Sequence, residues 1–131
     1  MAGSLSPRAA AAKAVHEVSH QGRNLDRALE AACGGLEGRD RAFARALAYG
    51  TVRGYPRYAA LTRRLLTRPP KRRDRILADL IAVGLCQLSD MRVPAHAAVK
   101  ETVAAARTLG HVPAGPRQGQ RLCIGFRFLA D

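Results

Sequence analysis

The stretch ILADLIAVGLCQLSDMRVPAHAAVKETVAAA, residues 76–106, decides the fold of this chain. In its first half Leu77, Leu80, Ile81, Gly84, Leu85 and Leu88 recur at the i, i+3, i+4, i+7 spacing of a helix with one buried stripe. Ile76, Val83 and Met91 widen that stripe, which predicts a helix in the middle of the fold. Gly84 costs about 1 kcal/mol relative to Ala inside a helix, so a close helix–helix approach is expected there. Arg92-Val93-Pro94 then breaks the pattern. Pro94 pushes Val93 out of the α region and suits the first turn of a new helix. Beyond it Ala95, Ala98, Val99, Thr102, Val103 and Ala106 form a second apolar stripe, with Lys100, Glu101 and Arg107 outside it. Two helices with so short a joint make an αα-hairpin.

Upstream, the same period returns four times. Ser6-Pro7 is a helix entry, Ser as cap and Pro in the first turn. Ala11, Ala14, Val15 and Val18 follow as a narrow apolar stripe that ends at Gln21-Gly22. Asn24 caps a second helix with Leu25, Ala28, Leu29 and Ala32 on one face, stopped by Gly34-Gly35. A third helix is expected from about Arg39 to Val52, its inner face Phe43, Ala46, Leu47 and Gly50. A fourth starts at Tyr55-Pro56 with Tyr58, Leu61 and Leu65 inward, and Arg68-Pro69-Pro70 ends it. Downstream, 111–116 has the composition of a loop, and RLCIGFRFL at 121–129 is read as a last short helix. Seven helices and no strand pattern predict an all-α bundle around one central apolar helix, forming a single domain over residues 1–131.

Composition sharpens the reading. A chain of 131 residues with 47% hydrophobic side chains is long enough to bury roughly two thirds of its unfolded surface. No apolar run approaches the about 18 residues of a membrane span, and residues 1–8 lack the apolar core of a signal peptide. A cytoplasmic protein without a membrane partner is expected. Cys33, Cys86 and Cys123 are odd in number and widely spaced, which suggests neither a disulfide framework nor a zinc site. Cys86, beside the apolar stripe, reads as a small buried hydrophobe. The net charge of +12, from 22 Lys plus Arg against 10 Asp plus Glu, favours a polyanionic partner. A GC-rich genome would account for Arg replacing Lys, but not for the excess of cations. Only 5% of residues are aromatic, which disfavours a base-stacking platform.

The run GLCQLSDMRVPAHAAVKETV at 84–103 resembles the most recognisable segment of the NusB-like domains: an apolar helix, a short Arg-Val-Pro joint, then a helix opening with His and an Ala-rich turn. Val93-Pro94-Ala95-His96-Ala97-Ala98-Val99 is most similar to the amino-terminal, RNA-binding domain of ribosomal RNA (cytosine-5)-methyltransferases of the RsmB/Sun/Fmu type. The Gly50-x-x-Arg53 helix end, within residues 48–54, resembles the same domain. The 121–129 segment departs from the family's Leu-x-Asn-x-Val-Leu-Arg pattern, with Ile124 where the Asn falls. The resemblance implies two small helical subbundles sharing the central helix. It also implies that methyl transfer, and the S-adenosylmethionine it uses, belong to a separate Rossmann-like domain outside this chain.

The densest charge lies between residues 63 and 75: Arg63, Arg64, Arg68, Lys71, Arg72, Arg73 and Arg75, opposed there by Asp74 alone. Phosphate contacts are one reading; solvated helix ends, with Arg63 and Arg64 favoured by the helix dipole, are the other. Arg8 and Lys13 lie on the first helix, which in the NusB family is Arg-rich and helps hold RNA. His96 has no partner at metal-ligand or triad spacing, since His16, His20 and His111 are remote in sequence. It reads as a packing or hydrogen-bonding residue at a helix start, with Glu101 free to pair with Arg92 or Lys100. Gly34-Gly35-x-x-Gly38 follows a helix rather than a strand, so no phosphate loop is indicated. None of the cysteines stands in the Pro-Cys context of the family's nucleophile.

These features predict no catalytic residues, metal or cofactor. They predict an RNA-binding module that positions ribosomal RNA electrostatically, beside a methyltransferase domain. The alternative is a NusB-type antitermination factor that binds leader RNA and a ribosomal protein.

Overall fold

A computed structural model describes residues 5–66 and 71–109. Among them the secondary structure is entirely helical: α1 (Pro7–Gln21), α2 (Leu25–Ala32), α3 (Gly38–Arg53), α4 (Tyr55–Leu65), one 3-10 turn (Arg72–Asp74), α5 (Arg75–Ser89) and α6 (Ala95–Thr108). The expected helix over 121–129, together with Cys123 and Arg68, lies outside the described residues. No described helix is long and apolar enough to cross a membrane.

The helix starts follow local chemistry. Ser6 Oγ accepts the Ala9 N–H at 3.2 Å, and Asn24 Oδ1 accepts the Arg27 N–H at 3.3 Å. Each satisfies a backbone donor that the first helical turn leaves unpaired. Between α3 and α4 the chain turns at Gly54, where a Cβ would stand 2.6 Å from the Tyr58 ring. The glycine lets that fully buried ring close over the joint.

The core is built on α1 and α5. Ala9, Ala10, Ala11, Ala12, Ala14 and Val15 are all fully buried, and consecutive residues step about 100° around a helix. Burial therefore encircles α1 rather than following the narrow stripe expected from Ala11, Ala14, Val15 and Val18. Helices α2, α3, α5 and α6 all pack on it. On α5 every residue from Asp79 to Gln87 is buried, and α1, α3, α4 and α6 surround it. Polar links tie α1 to α5. Arg8 Nε donates to Gln87 Oε1 at 2.6 Å, and His16 Nδ1 meets Asp79 Oδ2 at 2.8 Å. The start of α1 thus lies beside the end of α5, and the two run antiparallel. Gln87 also donates to Thr102 Oγ1 at 3.2 Å, which fastens α6.

Three inner faces differ from their expected registers. On α3 the buried residues are Ala44, Leu47, Ala48 and Thr51, whereas Phe43 and Gly50 are half-buried and Ala46 is exposed. Thr51 tolerates burial because its hydroxyl donates to the Leu47 carbonyl at 2.7 Å. Gly50 still serves a close approach: a Cβ there would stand 3.0 Å from Cys86 Sγ on α5. On α4, Tyr58 and Thr62 are buried while Leu61 and Leu65 are half-buried. On α6, Ala98, Thr102, Ala105 and Ala106 are buried, Val99 and Val103 are half-buried and Ala95 is exposed. The joint before α6 is tight, with Arg92 in the left-handed region at φ 52°.

The rotated face of α3 has a direct test. Ala46→Glu is expected to change unfolding free energy by no more than about 0.5 kcal/mol, as at other open surface sites. Ala48→Glu buries an unpaired charge and should cost upwards of about 3 kcal/mol or abolish folding. Urea denaturation of the two variants separates these outcomes.

Candidate nucleic-acid interface

Of the cations expected between 63 and 75, Arg63 and Arg64 sit exposed in the last turn of α4. Lys71, Arg72 and Arg75 are exposed around the 3-10 turn that leads into α5. The Arg73 side chain and all of Arg68 lie outside the described residues. Among the described residues, the Lys and Arg ion pairs engage Arg23 with Glu17, Arg45 with Asp26 and Arg57 with Asp90. None of these five exposed cations takes part. Exposed positive side chains at this density are what phosphate binding needs.

Arg8 and Lys13 behave differently from each other. They are five residues apart, so they point about 140° apart around α1 and cannot form one basic face. Lys13 is exposed. Arg8 is half-buried: besides the bond to Gln87, its guanidinium lies 5.0 Å from the Phe43 ring centroid. Burial lowers its pKa from the ordinary value, and the charge of Glu101 opposes that. A guanidinium nevertheless keeps its charge, and this one is committed largely to joining α1, α3 and α5. Glu101 forms no ion pair with Arg92 or Lys100 among the described residues; its charge acts on Arg8 instead.

His96 is exposed at the start of α6. Cys33 and Cys86 are buried thiols whose pKa values burial raises, the opposite of an activated nucleophile. A second polar centre escaped the sequence reading. His16 and His20 stand four residues apart on α1 and both face Asp79 of α5, which is 1% exposed. The His-x-x-x-His spacing was the available signal, but only the packing of α5 on α1 supplies the third residue. At the far end of α5, Asp90 accepts from Arg57 at 3.2 Å and from the Tyr58 hydroxyl, which anchors α4.

Comparison with known proteins gives a consistent picture. The NusB family matches residues 5–115. A Vibrio cholerae protein described as ribosomal RNA small subunit methyltransferase B is 43% identical over 113 residues, covering 86% of this chain and 25% of the relative. One from Xanthomonas campestris with the same description is 40% identical over 137 residues, covering 99% of this chain and 31% of the relative. One from Pseudomonas syringae is 43% identical over 105 residues, covering 80% and 23%. The chain spans about a quarter to a third of the length of these relatives.

The contrast between Arg8 and Lys13 predicts different costs. Arg8→Met leaves Gln87 Oε1 buried without its donor and should lower stability by about 1–3 kcal/mol. Lys13→Ala should stay within about 0.5 kcal/mol. Thermal melting of both variants reads the difference.

Proposed function

The chain belongs to the NusB family, and from that premise we propose that it is an RNA-binding module that positions ribosomal RNA for a cytosine methyltransferase. What carries the proposal is the crowding of the exposed Arg63, Arg64, Lys71, Arg72 and Arg75, with Asp74 as the one acid in their segment, on either side of the junction of α4 and α5. Helix α4 and the 3-10 turn both pack on α5, and in this reading their cations meet successive phosphates rather than one isolated charge. Arg68 and Arg73 belong to the same segment and add to it in this reading. Lys13 contributes a separate contact, and Arg8 acts mainly through the position it gives α1.

In this reading methyl transfer belongs to residues outside the quarter to a third of the relatives' length that this chain spans. S-adenosylmethionine goes with those residues. The setting is the cytoplasm, where ribosomal RNA is available. The relatives' shared description favours the methyltransferase reading over antitermination with a ribosomal protein.

Binding to a single-stranded fragment of small-subunit ribosomal RNA should weaken with salt. With about five phosphate contacts, log affinity should fall against log salt with a slope of roughly −3.5. Arg63→Glu combined with Arg72→Glu should leave helicity intact and bring the slope to roughly −2. Fluorescence anisotropy over a salt series, with duplex DNA and heparin as competitors, measures both. Undiminished binding by the double variant, or equal affinity for all three polyanions, would remove the positioning role.

A further inference from the structure

We propose that His16, His20 and Asp79 form a zinc site that clamps α1 to α5. The site begins with sequence spacing: residues i and i+4 of a helix project from one face, and here both are imidazoles. Asp79 comes from α5, and one donor atom from each of the three residues lies within 4.8 Å of the other two. His16 Nδ1 is 2.8 Å and His20 Nε2 is 3.2 Å from the same oxygen, Asp79 Oδ2. The imidazole rings are 4.7 Å apart, tilted 39° to one another. Donors held about 2.0–2.1 Å from zinc at tetrahedral angles stand roughly 3.3–3.4 Å apart. The His20–Asp79 pair already stands near that spacing, and the His16–Asp79 pair is within about 0.5 Å of it.

The surroundings are those of a ligand set rather than of an ordinary surface pair. Asp79 is 1% exposed, and a buried carboxylate requires compensation. No described Lys or Arg forms an ion pair with it; its partners are the two histidines and a phenol. The Tyr55 hydroxyl donates to the other carboxylate oxygen, Oδ1, at 2.6 Å. This is the outer-shell arrangement that orients a coordinating carboxylate: one oxygen tied back, the other presented to the metal. The histidine side chains are 22% and 30% exposed, which gives an ion an entry path and leaves the fourth position to water. Two imidazole nitrogens and one carboxylate oxygen suit Zn2+ better than Mg2+ or Ca2+, which favour oxygen donors throughout. The three ligands bridge two helices at the end opposite the Arg8–Gln87 link, so bound zinc would hold the antiparallel pair at both ends.

The test uses the whole chain with Cys123→Ser, which removes a competing thiol. Zinc chloride is titrated by calorimetry after treatment with a chelator, and melting is followed with and without zinc. One zinc per chain is expected, with a melting temperature that rises with zinc concentration by mass action. His20→Gln, at the more exposed ligand, should lose most of the affinity. Tyr55→Phe should lose roughly 10–100-fold. Cobalt in place of zinc should give the visible absorption of a tetrahedral nitrogen–oxygen site in the parent and not in His20→Gln. Absence of zinc binding by the folded parent, or unchanged affinity and cobalt spectrum in His20→Gln, would overturn the site and leave the cluster a hydrogen-bonded link between helices.

Discussion

The antiparallel packing of α1 on α5 is the constraint on which the other helices depend. Small side chains make it possible: five alanines and Val15 are buried around α1, so neighbours approach on nearly every side. Alanine supplies little apolar area per residue, and the specificity of the pairing comes from its polar ends. Arg8 with Gln87 and His16 with Asp79 are links whose acceptor side chains are buried. A shift of one helical turn along the pair would leave buried polar atoms unmatched, at the cost of their desolvation. Among the described residues no buried side-chain polar atom lacks a partner, which is the condition such links must meet.

From that pair the remaining packing follows. Gln87 reaches Thr102 and sets α6. Gly50 against Cys86 brings α3 close to α5. Asp90, just past α5, holds Arg57 and Tyr58 of α4. The same α5 therefore organises polar contacts from Asp79 onward while Leu80, Ile81, Val83 and Leu85 fill the core. The exposed cations of the α4–α5 junction face outward, joined to the rigid part of the fold by helices anchored elsewhere. Charge and scaffold are separated, so an electrostatic surface can be altered without disturbing the core.

The helix boundaries were legible because they rest on local chemistry. Ser6, Asn24, Gly22 and Pro94 act through hydrogen bonds or dihedral limits within a few residues, and α1, α2 and α6 begin beside the residues that dictate it. The inner faces were less legible. Counting apolar residues placed Phe43 and Ala46 inside α3, yet Phe43 is half-buried beneath Arg8 and Ala46 is exposed. Thr51, Thr62 and Thr102 are buried instead. Thr51 and Thr62 satisfy their hydroxyls within their own helices, and Thr102 does so through Gln87. Hydropathy alone does not see a polar group that the fold will pair.

The sequence by itself determined an all-helical chain, its caps, its strong positive charge and the crowding of that charge between residues 63 and 75. Each of these depends on composition or on neighbours a few positions away. Only the tertiary structure decided which cations remain open, that Arg8 is half-buried beside Gln87 and Phe43, and that His16, His20 and Asp79 converge. Those outcomes depend on residues some sixty to eighty positions apart meeting across a helix interface. Periodicity within one helix carries no information about the register of another against it; that register is set by the packing of small side chains and the pairing of buried polar groups.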